Sequence, residues 1–566
     1  MQEGTGNLTD KLQKILLAGL FLAAIYFTAG LVNELTCFVS VGYLFMSALA
    51  PAVFFWGLLL VVYLYQQGSI SFDLRFGREE FFSKVLFWIL SIALLASWVI
   101  LKFGRLGAPY ILLGAVCVIG ILAAFMFIIR RENSKGLIIV LLIYPFIIFI
   151  EHWFRWNLSG DPYEVRSINI FMPYEIIWLA IFFVMLTCKI VMENNFVFRV
   201  NAIQKLFLLF GLFVFVSALV SPIPLTGIKY VYRDCALPLI FLFIFIESIK
   251  TIDDFIRLFK GVIFSGMSLL LMGIYFFWRN GGFYSDTAEL FRGVLATTVT
   301  GYLNLISILS LLIMPTAISL YLVEKNMLGK VAQLCFALIC LVVIVLSRNR
   351  SVQLACIITL PFLFVYARAR MRYAFFSILF IILIVGLLKV SFVQDMAFER
   401  YKDWFGSGNF VSNILTSDSI SFDLWYCAIR IFRDHFWVGI GPGMWEQVYP
   451  SYTSMPGDVI WASGNKPHSL FLQYFTFSGI GAGLCLVFIY AYTIIKSIRR
   501  TVSVKNKETY IMAVGLSWSI CLLFLHELIR GYQVFNYYGF TVMAMCLFFG
   551  LDNILTQNLG LKGQDI

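Results

Sequence analysis

The sequence predicts an all-α polytopic membrane protein of about 14–16 transmembrane helices. Three observations predict it. Apolar residues make up 61% of the 566 residues and charged ones 13%, whereas a soluble domain is about half apolar and about a quarter charged. Apolar runs of roughly the 20 residues that cross a bilayer recur along the chain. The period-two alternation of a transmembrane barrel is absent.

In chain order the apolar runs lie near 14–32, 43–65, 85–101, 110–129, 136–152, 173–193, 203–220, 236–247, 261–278, 300–323, 330–346, 352–367, 373–390, 471–495, 509–529 and 533–552. The first lacks a small-residue cleavage site and reads as a retained helix rather than a signal peptide. Basic loops set the orientation. "RRENSK" (130–135), "ARARMR" (367–372) and "KSIRRTVSVKNK" (496–507) all fall on the cytoplasmic side when both termini are inside, as the positive-inside rule requires. Arg75, Arg78, Lys84, Lys250, Arg257 and Lys260 fall there too. The chain is then expected to divide into N-terminal transmembrane helices (1–200), a core carrying outer arginines (201–390), one large outer loop (391–470), C-terminal helices (471–552) and a cytoplasmic tail (553–566).

The net charge of +11 suits basic loops beside anionic lipid, not nucleic acid. The eleven cysteines are scattered singly with no CxxC pair, so neither a zinc site nor a disulfide framework is expected. Metal and cofactor are both expected to be absent: Asp395, Glu399, Asp403, Asp418, Asp423 and Asp434 are spread along the outer loop without metal-ligand spacing.

The outer loop carries the aromatic anchors Trp404, Trp425, Trp437 and Trp461. Within it, "SFDLWYCAIRIFRDHF" (421–436) has helical spacing. Leu424, Ala428 and Ile431 share a face, which suits a helix lying at the membrane interface. "DHFWVGIGPGMW" (434–445) comes next. Its Gly439, Gly441 and Gly443 are not a dinucleotide fingerprint, because Pro442 and Met444 break the pattern and no strand–helix unit surrounds it. A tight turn is expected instead.

The candidate chemistry sits where the orientation rule is broken. Arg348 and Arg350 in "LSRNRS" interrupt apolar runs at the outer end. Arg233 in "YRDCALP" and Arg292 in "ELFRG" are also outside. Charge at the edge of a span is costly and points to function; the alternative is a side chain snorkelling to headgroups, the simpler reading for Arg292. For Arg233, Asp234 is an alternative, structural partner. Planar guanidiniums match phosphate oxygens bidentately, so the group suggests a diphosphate held at the outer leaflet. Four histidines occur. His468 stands where the polar loop turns into the apolar run at 471, a place for a general base, a phosphate-binding imidazolium or a helix cap. His152, His435 and His526 fall at or beyond the outer boundary. His435, beside Asp434, reads first as structural. Gln473, one turn after His468, either orients its ring or lines the core, and Tyr474 reads as core.

"HFWVGIGPGMW" followed by "HSLFLQYFTFSGIGAG" resembles the O-antigen ligase and O-antigen polymerase superfamily. His468, Leu472, Gln473 and Gly479 match its pattern residue by residue, and "LSRNRS" matches its upstream arginine element, with Arg350 in the better register. Phe436, Ser469 and Phe477 depart from the usual proline, asparagine and glutamate. Arg430 or Arg400 stands in for the arginine often found before the tryptophan-bearing helix. The resemblance implies a lipid-carrier glycosyltransferase (GT-C-like) fold in a bacterial inner membrane, with the periplasmic loop capping the site. It implies metal-independent, inverting transfer of a glycan from undecaprenyl diphosphate to an acceptor hydroxyl. His468 and Arg350 would be catalytic, and Arg348, Arg350 and Arg233 would bind diphosphate. Gln473, Arg430, His435 and Arg292 would be accessory. The acceptor is a second carrier-linked repeat unit for a polymerase, toward which the extra N-terminal spans lean, or lipid A–core for a ligase; a chain-length regulator is an optional partner. A polysaccharide or lipid transporter is the competing class, but it would carry charges near the midplane and two related halves, neither of which is evident.

Overall fold

The structure is a computed structural model that describes residues 120–145 (except 122 and 129), 173–192, 200–279, 303–346, 350–366, 419–453, 467–530 (except 468) and 540–558. The expected runs at 14–32, 43–65, 85–101 and 373–390 lie outside these residues. After a helical arm over 120–128 come α1 (Asn133–Pro145), α2 (Pro173–Met192), α3 (Ala202–Val220) and α4 (Pro224–Val231). A π-helical turn at Tyr232–Ala236 leads into α5 (Leu237–Ser248), then α6 (Ile252–Arg279), α7 (Leu303–Val323), α8 (Met327–Leu346) and α9 (Arg350–Tyr366). Last come α10 (Ser419–Asp434), α11 (Trp445–Val448), α12 (Leu470–Ser503), α13 (Lys507–Arg530) and α14 (Phe540–Asn558). The described elements are all helical, and among the described residues five helices are long and apolar enough to span a membrane: α3, α6, α8, α12 and α13. The chain is an all-α polytopic membrane protein.

It packs as two compact units. The first includes the 120–145 hairpin, α2, the end of α5 from Phe243 and α6 as far as Ser268. Leu141, Trp178, Val184, Phe245, Phe255, Leu258 and Phe259 fill its core, and Tyr144 meets Trp178 edge-on at 5.9 Å. One end of this unit is polar. Ser134 Oγ donates to Asp254 Oδ1 (2.5 Å), and Lys189 Nζ donates to Glu247 Oε1 (2.5 Å). Thr251 starts α6 by exchanging hydrogen bonds with Asp254, which occupies the first turn. Residues from "RRENSK", α2's last turn and the α5–α6 junction therefore meet at one end, as a common sidedness of these loops requires.

The second unit holds the remaining described helices. α3 is apolar all round, so its sequence does not choose a buried face. Packing does: Phe207, Phe210, Val214 and Ala218 are sealed, while Leu208, Leu212, Phe215 and Leu219 point outward. The same logic ranks the long spans. The apolar window of α13 is 83% buried and that of α8 only 28%, so α13 is the central post and α8 faces lipid. On α13, Trp518 Nε1 donates to Thr359 Oγ1 (3.1 Å) and Ser519 Oγ to the Leu312 carbonyl (3.1 Å), which ties it to α9 and α7.

One expectation is corrected here. The short span expected at 236–247 is the end of one continuous run from Pro224 to Ser248, because the π turn passes α4 into α5 without a loop. His526 is fully buried inside α13, four residues before its end at Arg530.

The second unit has two distinct ends. At one, Asp552 of α14 accepts from Arg500 Nε (2.7 Å) and pairs with Lys496 (2.8 Å), gathering the basic loop "KSIRRTVSVKNK". The other end carries the start of α12. Beyond its break at Gly479, α12 runs from Ile480 to Ser503, about 36 Å at a 1.5 Å rise per residue, long enough to cross a bilayer. Asp552 is 8% exposed at its side chain. Asp552→Ala would leave two cations without their shared carboxylate. It is expected to destabilise the chain by about 2–4 kcal/mol, read as a lower denaturation midpoint in detergent, with Asp552→Asn recovering part of the loss.

Candidate functional site

At the end opposite the basic loop, α10 packs as its spacing requires. Leu424, Cys427, Ala428 and Ile431 are fully buried, and with Ile440, Met444, Trp445, Tyr449 and Phe477 they form one apolar cluster. Tyr426, Ile429, Arg430 and Arg433 occupy the exposed side. Trp445 stacks on Tyr449 (5.1 Å). Tyr449 Oη donates to Asp423 Oδ2 (2.9 Å), and Thr453 Oγ1 donates to the same oxygen (2.6 Å). Burial pushes the Tyr449 phenol up to about 12, so it stays a donor. Arg430 lies over the rings of Tyr426 (5.6 Å) and Tyr452 (5.7 Å), and Tyr452 Oη donates to Asp434 (3.1 Å), a bond that lowers the Asp434 carboxyl's pKa. Arg430 thus fastens α10 to residue 452 through its cation–π contacts.

The glycine segment is a clasp on α12. The helix is broken at Gly479, where φ is 72° and ψ −170°. A break frees carbonyls and N–H groups that must find other partners when buried. They find them in the loop. Ile440 N donates to the Thr476 carbonyl (3.0 Å), Gly441 N to the Phe477 carbonyl (2.9 Å), and Ile480 N to the Phe436 carbonyl (2.9 Å). Ser217 Oγ of α3 also donates to the Phe477 carbonyl (2.8 Å). The approach is backbone on backbone: a Cβ on Gly479 would collide with the Trp437 carbonyl. Gly441, at φ 93°, presses on Ser221 at the end of α3, where a Cβ would meet Ser221 Oγ at 2.5 Å. Gly439 and Gly443 also have positive φ. The expected tight turn is present, and its partner is the kink in α12.

A second tie joins α12 to the π-helical turn. Tyr474 Oη donates to Asp234 Oδ2, with both residues buried, and Phe210 packs edge-on against Tyr474 at 4.9 Å. Asp234 follows Arg233 directly. π-helical turns are rare and cluster at functional sites. Lys229 lies four residues before Arg233, which puts a second cation one helical turn from the first. Ser469 caps α12 by accepting from Leu472 N (3.5 Å). Gln473 is 1% exposed, and neither its amide oxygen nor its nitrogen has a hydrogen-bond partner among the described residues.

Of the expected residues, Arg233 stands in the turn tied to α12, and Gln473 lies on α12 beside Tyr474. Arg350 is the first residue of α9. His435 is exposed in the turn after α10, where its carbonyl accepts from Gly439 N (2.9 Å). His468, Arg348, Arg292 and Arg400 lie outside the described residues; Pro467 and Ser469, which flank His468, are both buried.

Residues 335–487 match the family described as O-antigen ligase. Over this stretch the chain is similar to the O-antigen ligase/polymerase superfamily. The match runs from within α8 through Arg350, α10, the glycine clasp and the broken half of α12, so the clasp lies within the matched stretch. Arg233 and its π turn lie outside the match and reach the domain through Tyr474. No curated protein matches the chain.

Sequence reasoning missed two residues. Tyr474 is core as expected, but its hydroxyl bond crosses 240 residues and leaves no local trace. Lys229 had a legible signal, its one-turn spacing from Arg233. Gly479→Ala is expected to open the clasp, because it adds a close contact to a left-handed backbone, and to cost about 3 kcal/mol or more. Tyr474→Phe should cost about 1–3 kcal/mol by leaving a buried carboxylate oxygen without its donor. Thermal denaturation in detergent measures both, and two wild-type midpoints would mean the ties do not hold the helix.

Proposed function

We propose that this O-antigen ligase-superfamily protein transfers a glycan en bloc from undecaprenyl diphosphate to an acceptor hydroxyl at the periplasmic face. One observation carries the reading: the cation-bearing π turn is tied to the start of α12, immediately after His468, at the end of the unit away from the basic loop. The acceptor oxygen attacks the anomeric carbon, the bond from that carbon to the diphosphate oxygen breaks, and undecaprenyl diphosphate leaves. Attack from the face opposite the leaving group inverts the carbon. His468 takes the acceptor's proton, and Gln473, whose buried amide has no partner among the described residues, orients the imidazole. Arg350, with Arg348 and Arg233, holds the diphosphate charge as it develops. Residues that neutralise a leaving diphosphate make a metal unnecessary, and the spread of acids along the outer loop agrees with that.

Polymerisation of carrier-linked repeat units is the favoured form, because the spans that precede the matched domain and the substituted motif positions Phe436, Ser469 and Phe477 depart from the common pattern. Reconstitution with carrier-linked repeat units tests it: a ladder formed without lipid A–core is expected, and a single product requiring lipid A–core would instead identify a ligase. His468→Ala should lower turnover by about 100- to 10000-fold in folded protein. Arg350→Lys should lose most of the roughly 100- to 1000-fold that a positioned phosphate donor supplies, since an ammonium cannot form the bidentate pair. Full activity in either variant would remove that residue from the mechanism.

A further inference from the structure

The first unit contains a cavity of about 60 Å³ lined by Arg131, Asn133, Lys189, Glu247 and Lys250, with Ile128, Met185 and Phe243 among its apolar walls. One water needs about 15 Å³ of such space, so the cavity takes a group of several heavy atoms. Its lining is net positive. Lys189 is held by Glu247 at 2.5 Å. Arg131 and Lys250 add two further positive charges, and Glu247 is the one carboxylate in the lining. The cavity lies where apolar helices end: Lys189 is in the last turn of α2, and Lys250 comes just after the end of α5. That is the depth of lipid headgroups, and basic pockets between helices on the cytoplasmic side suit anionic ones. Arg131 has φ 63°, the positive-φ non-glycine residue among those described. An L side chain avoids that region, and glycine or asparagine would occupy the turn more easily. A guanidinium is kept there against the local preference.

We infer that this cavity binds a phosphate group of an anionic membrane lipid, with Arg131 and Lys250 supplying the charge and the apolar wall meeting the glycerol and acyl portion. The site is separate from the glycan-transfer reading and does not depend on it.

The test uses the full chain purified in detergent and tracks its melting temperature. Added phosphatidylglycerol should raise it saturably, because a ligand that binds the folded state stabilises it by linkage, whereas phosphatidylcholine should not. Arg131→Gly removes the cation, and the half-saturating phosphatidylglycerol concentration should rise about tenfold. Lys250→Ala should weaken the response similarly. Potassium phosphate, compared with potassium chloride at matched ionic strength, separates the sources: a response to phosphatidylglycerol alone assigns a lipid headgroup, and an equal response to inorganic phosphate assigns a free anion in the same site. A wild type that responds to neither, or undiminished responses in both variants, would overturn the proposal. So would a destabilised Arg131→Gly protein that keeps its full lipid response, since that pattern marks a structural arginine.

Discussion

A helix broken inside a membrane protein must have its hydrogen bonds restored by other parts of the protein, and that constraint organises the candidate site. Hydrocarbon offers no water to the groups a kink releases, so irregular backbone survives at such depth only where protein buries it. The kink of α12 at Gly479 releases two carbonyls and an N–H. The 436–441 segment answers all three, and Ser217 adds a fourth bond. Side chains cannot intervene at such close approach, which explains why the motif on both strands of the clasp is glycine. The clasp in turn fixes α10, because Phe477, whose carbonyl is bonded twice, also closes the apolar cluster under that helix.

Much of this was legible in the sequence, for identifiable reasons. The buried face of α10 comes from i, i+4, i+7 spacing, which is a local property. The gathering of basic residues at one end of each unit comes from the energetics of charge near a membrane, which also acts residue by residue. The glycine segment was readable as a turn because positive φ selects glycine wherever it occurs. The object that the turn embraces was not readable, because its partner carbonyls lie 36 residues on and carry no side-chain signature. The same holds for Asp234 and Tyr474. A carboxylate beside an arginine invites a local pairing, and only the packing of α3 against α12 brings a tyrosine to it. Burial within uniformly apolar helices is the other blind spot. Nothing in the run 509–529 distinguishes a central post from a lipid-facing span, and the full burial of His526 is likewise not legible there.

The two ties on α12 do different work. The clasp is made of backbone and tolerates change only in residues that do not touch it. The Tyr474–Asp234 bond is made of side chains and crosses from the matched O-antigen ligase domain to a segment outside it. A transferase that separates proton removal from leaving-group stabilisation needs both groups held to within a fraction of an ångström, although they come from distant parts of the chain. On the proposed reading, tying the cation-bearing turn to the helix that begins after His468 would couple the two. A π-helical turn suits that task, since it adds a residue to the helical register and rotates the segment beyond it. The side chains of Arg233 and Asp234 are thereby directed by one local irregularity, and a single hydroxyl bond pins that irregularity to α12.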